Sequence, residues 1–143
     1  APFAPEKSLA AALLEPTRIY VKSLLGVLRG AHGASIRALA HITGGGFIDN
    51  IPRVLPKGFG VELDLDAIAP PPVFRWLADM GGVAEREMLR TFNCGIGMVV
   101  VVAAGEADKV AAELTAAGER VSRVGLIRED SSGAVTTRGK LSL

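Results

Sequence analysis

Residues 59 to 66 alternate without a break, with Phe59, Val61, Leu63 and Leu65 apolar and Gly60, Glu62, Asp64 and Asp66 between them. A period of two predicts a strand with one face in a core and one in water, so the three acids line a solvated face. The same period runs through Ile36, Ala38, Ala40 and Ile42, against Arg37, Leu39 and His41, and predicts a strand that empties into three glycines. Asn93 to Ala103 is apolar almost throughout and predicts the central buried strand. Val121 to Ile127 predicts a further strand, Glu129 to Gly133 a turn, and Ala134 to Arg138 an edge strand.

Between these segments the period changes to that of a helix. Val21, Leu24, Leu25 and Leu28 follow Pro16-Thr17 and stop at Arg29-Gly30, predicting a helix over 17–29, with a turn or two of helix before it over 9–14. Pro70-Pro71-Pro72 reads as a stiff loop opening a helix whose one face carries Val73, Phe74, Leu77 and Met80 and which Gly81-Gly82 closes. Ala84 to Thr91 predicts a short helix with Glu85, Arg86 and Arg90 on its polar face, and Ala107, Val110, Ala111, Leu114 and Ala117 trace another up to Gly118. Strands separated by helices give an α+β class, a layered sheet carrying helices. The order resembles an elaborated ferredoxin-like split βαβ arrangement.

The candidate chemistry sits where the first strand ends. In His41-Ile42-Thr43-Gly44-Gly45-Gly46-Phe47, glycines allow backbone amides to face a ligand, and a helix restarting behind them favours an anion. A plain tight turn is the competing reading of the same residues. The helix starting near Gly46 should kink or restart at Pro52, which lacks an amide and crowds the preceding turn. Arg53 lies two turns beyond the glycines and shares their face if that kink allows it; its guanidinium fork matches phosphate oxygens. His41 is the titratable ring beside the glycines, suited to general acid or hydrogen-bond donor work near neutral pH. Asp49 and Asn50 are further polar candidates, and Arg90 and Asn93 flank the start of the apolar strand. Arg18, just inside a predicted helix start, is oddly placed for a cation unless an anion lies nearby.

Composition narrows the class rather than the chemistry. At 143 residues and 49% apolar, the chain has enough material for one well-filled core. A net charge of +1 with scattered Lys and Arg gives no footprint for nucleic acid or an anionic membrane surface. The single cysteine, Cys94, and two histidines, His32 and His41, supply neither a disulfide framework nor a zinc cluster, and fit a reducing, cytoplasmic compartment. Cys94 reads as buried and inert. The start Ala1-Pro2-Phe3 shows no signal-peptide pattern and no initiator methionine, which suggests a processed or excised segment.

Three segments carry a family resemblance: Glu15 to Lys22, Ala40 to Pro56 and Arg90 to Met98. In this order and spacing they resemble the carboxy-terminal domain of aminoimidazole ribonucleotide synthetase, also called phosphoribosylformylglycinamidine cyclo-ligase. The likeness weakens only in the first few and last ten or so residues. It implies a linker-like lead-in over 1–14 and a carboxy-terminal domain over 15–143, with the amino-terminal nucleotide-binding domain absent. It implies an ATP-dependent enzyme of purine biosynthesis that closes the imidazole ring of formylglycinamidine ribonucleotide and releases ADP and phosphate. ATP and Mg2+ are then expected in the full-length enzyme, a homodimer, with no cofactor assigned to these residues by themselves and no metal site among them. This half is expected to be inactive alone. Under the resemblance Thr43, Gly44, Gly45, Gly46, Asn50, Arg53, Arg90 and Asn93 become substrate- or phosphate-binding candidates and His41 the catalytic one. The glycine amides would hold the substrate's ribose 5′-phosphate or a phosphate of ATP. Alternatives are a related ATP-dependent enzyme, such as formylglycinamidine ribonucleotide synthetase or selenophosphate synthetase, and a non-catalytic α+β binding or assembly module.

Overall fold

A computed structural model describes every residue from Ala1 to Leu143. Helices and strands follow in the order α1 (Leu9–Leu13), α2 (Val21–Leu28), β1 (Ile36–His41), α3 (Gly46–Asn50), β2 (Phe59–Asp64), α4 (Pro72–Gly81), α5 (Glu85–Thr91), β3 (Met98–Val102), α6 (Ala107–Ala116), β4 (Gly125–Glu129) and β5 (Val135–Arg138). The chain is α+β, and its strands lie in two small sheets. In one, β1 and β3 run antiparallel, with Ile36 opposite Val102 and His41 opposite Met98. In the other, β2 is central, antiparallel to β4 and parallel to β5.

The alternation of residues 59–66 is realised from Val61 onward, in a strand that ends at Asp64; at its start Phe59 is exposed and Gly60 buried, the reverse of the reading. Val61, Leu63 and Leu65 are buried, while Glu62 reaches Arg128 on β4 and Arg138 on β5, and Asp64 holds Arg138 at 2.6 Å. The polar face is therefore a cross-strand ion-pair ladder rather than acids merely facing water. Half-exposed pairs of this kind add little stability each, but like charges are kept off opposite positions.

The β1–β3 pair separates two cores. On one side lies the larger, with Ile42, Phe47, Ile51, Leu63, Met88 and Cys94 among its members. On the other, Leu24 and Val27 of α2 meet Val110 and Leu114 of α6, and Val100 and Val102 of β3 pack onto them. A bulge between Ile36 and Ala38 shifts the register, so that Ile36 joins the α2–α6 side. The larger core lies directly under the glycine run, since Phe47 follows Gly46.

Several boundaries differ from the sequence reading, each for a tertiary reason. The helix predicted from Thr17 begins at Val21, because Arg18 is drawn out to Glu119 and the Gly118 carbonyl. The predicted central buried strand shortens to Met98–Val102, is half-buried throughout and has β1 as its single partner. Cys94 and Gly95 have φ of 46° and 91°, left-handed values that no strand contains. The strand predicted at 121–127 starts only at Gly125, where the absence of a side chain lets the backbone lie against the Glu62 carbonyl. Met80 is 74% exposed, so the buried face of α4 is Phe74, Leu77 and Ala78 without it. At Pro52 the interruption occurs as expected: α3 ends at Asn50 and a 3-10 turn, Pro52–Val54, takes over.

Candidate functional site

The glycine loop is a short reversal between β1 and α3 with its polar groups sorted by direction. Ile42 donates to the Gly97 carbonyl at 2.9 Å, one rung beyond the β1–β3 ladder, and Gly46 donates back to the Thr43 carbonyl at 3.0 Å. Gly45 and Gly46 take φ of 97° and 53°, the left-handed values that a residue with a side chain resists. One buried side chain organises the carbonyls. Asn50 Nδ2 donates to the Gly46 carbonyl at 2.8 Å and, at 3.3 and 3.4 Å, to those of Gly44 and Thr43. With the carbonyls committed inward, the amides of Thr43, Gly44 and Gly45 have no acceptor in the chain. Successive free amides at a turn are an anion-binding arrangement.

Around this loop the other candidates fall into three groups. Arg53 Nη1 lies 3.4 Å from Asn50 Oδ1, so the guanidinium is tethered to the residue that shapes the loop. Arg90 is exposed at the end of α5, and its backbone passes directly against Gly46, whose Cα rests on the Leu89 carbonyl. Asn93 stands apart. Its Oδ1 accepts from the Gly95 amide at 3.0 Å and its carbonyl from Ile96 at 2.8 Å, so it shapes the turn leading to β3.

The His41 side chain is exposed and makes no hydrogen bond; its ring stands edge-on to that of Tyr20 at 6.2 Å between centroids. The sequence reading did not single out Tyr20. Its hydroxyl sits over Gly97, where any side chain would overlap it. The Asp49 carboxylate lies close to Gly45, beside the free amides. It sets a negative charge at one flank of the loop and an acceptor for a hydroxyl group next to any bound anion.

The remaining groups narrow the chemistry. Burial pushes the Cys94 thiol up to about 11, and its Sγ faces the Met88 carbonyl at 3.6 Å. Folding thus favours the protonated thiol: this contribution to stability is complete below the unfolded-state value of about 8.5 and is lost as pH rises from there through about 11. Iodoacetamide at pH 8 should accordingly leave Cys94 unmodified in the folded protein and alkylate it once denaturant is added; rapid labelling of the native protein, followed by mass spectrometry, would refute its burial. No cluster of three or more His, Cys, Asp or Glu side chains is placed to hold a metal ion. No helix is long and apolar enough to cross a membrane. A groove of about 480 Å³ between β3 and residues 121–127 is lined mostly by valines and other apolar side chains, and none of the glycine-loop residues reaches it.

Residues 2–138 match the family model described as AIR synthase related protein, C-terminal domain. The chain belongs to this family. Domains of the AIR synthase related family occur in ATP-using enzymes of the ligase type, the cyclo-ligase and formylglycinamidine ribonucleotide synthetase among them. The match runs through all three segments that carried the resemblance, and through the loop, Asn50, Arg53 and the turn at Asn93.

Proposed function

We propose that this AIR synthase related domain is the phosphate-holding half of a cyclo-ligase that converts formylglycinamidine ribonucleotide to aminoimidazole ribonucleotide with ATP. The observation that carries the reading is the row of free amides at Thr43, Gly44 and Gly45, with Asn50 holding the carbonyls away and Arg53 tethered alongside. A ribose 5′-phosphate suits that loop. The amides and the Arg53 fork take the phosphate oxygens, and the Asp49 carboxylate accepts from a hydroxyl of the sugar.

In the overall reaction ATP activates the formyl oxygen as a phosphate ester, an internal nitrogen attacks the activated carbon, and phosphate leaves. This domain's part is to fix one end of the substrate, which converts loose encounter into positioned reaction, with His41 as the side chain able to hold or give a proton beside the loop. The nucleotide and metal contacts fall to an amino-terminal domain of the intact enzyme, a homodimer in this reading, and the domain alone should not turn over. ATP is a reactant here.

The test is an amide NMR titration with aminoimidazole ribonucleotide, with ribose 5-phosphate as comparison. Shifts confined to Thr43, Gly44, Gly45 and Arg53, with both ligands, are the expected outcome. Silence at millimolar ligand in a folded sample overturns the preformed half-site. Because the family also covers formylglycinamidine ribonucleotide synthetase, that enzyme is the second reading. It predicts a response to formylglycinamide ribonucleotide, the amide from which that enzyme makes the amidine, stronger than that to aminoimidazole ribonucleotide.

A further inference from the structure

His41 has one aromatic neighbour, Tyr20, and the residues on either side of that neighbour are tied to one about a hundred positions along the chain. Nothing hydrogen-bonds the imidazole; the Tyr20 ring, edge-on at 6.2 Å and 74°, is its aromatic contact. Tyr20 ends the non-helical run 17–20 as the residue that caps α2, and rests its hydroxyl on Gly97, at the foot of β3.

That run and the first turn of α2 are fastened to the residues that follow α6. Arg18 Nε donates to Glu119 Oε2 at 2.8 Å, and Arg18 Nη2 donates to the Gly118 carbonyl at 2.9 Å. Ser23 Oγ donates to Glu119 Oε1 at 2.6 Å and also lies 3.0 Å from the Tyr20 carbonyl. Both carboxylate oxygens of Glu119 are thus used, one on each side of Tyr20, and the side chain is only 14% exposed. The Ser23 hydroxyl, with Arg18 beside it, holds the Glu119 carboxyl below its ordinary range, so the fastening is charged at neutral pH. The geometry explains why the helix starts late: a helical run from Thr17 would swing Arg18 away from Glu119.

The geometry points to residues 17–20 as a strap, anchored by Glu119, that makes Tyr20 a positioning residue for His41. Glu119 lies 78 positions from His41 in sequence (119 − 41) and makes no hydrogen bond to it, yet the strap's polar ties to the body run to Glu119 and the Gly118 carbonyl, while Tyr20 rests on Gly97 and packs against the α2–α6 core. The Tyr20 ring, more than its hydroxyl, does the positioning, since its contact with His41 is ring edge to ring. The catalytic meaning of that positioning rests on the reading of His41 given under Proposed function; the strap itself does not.

The experiment reads the imidazole carbon–proton signals of the intact 143-residue chain by NMR, where His41 and His32 are the two histidines. His32 is bound to Glu106 at 2.9 Å and has Glu113 at 3.8 Å, makes no hydrogen bond to residues 17–20 or Glu119, and serves as the internal reference. Tyr20→Leu and Glu119→Ala should both move the His41 signals toward those of a free histidine and leave His32 in place, whereas Tyr20→Phe should keep the wild-type position. Unmoved His41 signals in Glu119→Ala and Tyr20→Leu overturn the strap. If Glu119→Ala unfolds the domain, the His32 signal moves as well, and the milder Arg18→Gln and Ser23→Ala variants read the same coupling. Should those leave His41 unchanged, the strap is equally refuted. The phosphate titration separates the two proposals: silence at Thr43 to Gly45 removes the functional reading while the His41 response still decides the strap.

Discussion

Phe47→Ala should destabilise the domain by about 3–5 kcal/mol, the range for emptying a large aromatic site in a packed core. Phe47 is 0% exposed and shares the larger core with Ile42, Ile51, Met88 and Cys94. It stands on a five-residue helix that cannot shift to fill the space, because Gly46 before it is pinned on the Leu89 carbonyl and Asn50 behind it is tied to the loop. A domain of this size has a total stability of about 5–15 kcal/mol, so the loss takes a large share of it. Urea unfolding should show a lower midpoint with an unchanged slope, and the Gly44 and Gly45 amide signals should broaden, since the core side of the loop has lost its anchor. A midpoint within error of wild type would mean that the core under the loop is not packed as described.

The second large effect belongs to Gly46, and its neighbour supplies the control. A methyl at position 46 would overlap the Leu89 carbonyl, which is backbone and cannot swing aside, while φ of 53° penalises any side chain there. The left-handed conformation costs about 1–2 kcal/mol and the overpacking about 1–3 kcal/mol, so Gly46→Ala should lose several kcal/mol or fail to fold. Gly44 has open space where its methyl would go and does not take a positive φ. Gly44→Ala should therefore fold with nearly wild-type stability. It should nonetheless weaken phosphate binding, because the methyl stands among the free amides. Thermal melts together with the titration check both halves. A stable Gly46→Ala refutes the docking of the loop on α5, and a Gly44→Ala protein that binds ribose 5-phosphate unchanged refutes the loop as the anion site.

How far the sequence carried the reading differs from element to element. The period-two run of 59–66 gave β2 within two residues, because one face of that strand is buried and the other is not, and alternation is the imprint of that asymmetry. The apolar run 93–103 misled for the opposite reason. Burial on both sides of a segment leaves no period, and only the left-handed turn at Cys94 and Gly95, fixed by Asn93 and by Pro71 packing against Gly95, tells where the strand begins. The candidate site was legible in part. Glycine spacing marked the loop, but which carbonyls Asn50 would collect, and which amides would remain free, depends on how α3 folds back over Thr43. Arg18 was read as a cation waiting for an anion, and the anion is Glu119, 101 residues away.

By itself the sequence determined the α+β class, the sites of most helices and strands, the glycine turn ahead of Phe47 and membership in the AIR synthase related family. These follow from local period, from turn chemistry and from motif order, all of which are written in neighbouring residues. Only the tertiary structure decided that the strands divide into two sheets, that Gly46 is required by the Leu89 carbonyl, and that Tyr20 and Glu119 stand behind His41. Those contacts join residues far apart in the chain, and their geometry is set by the packing of whole elements, which no local pattern encodes.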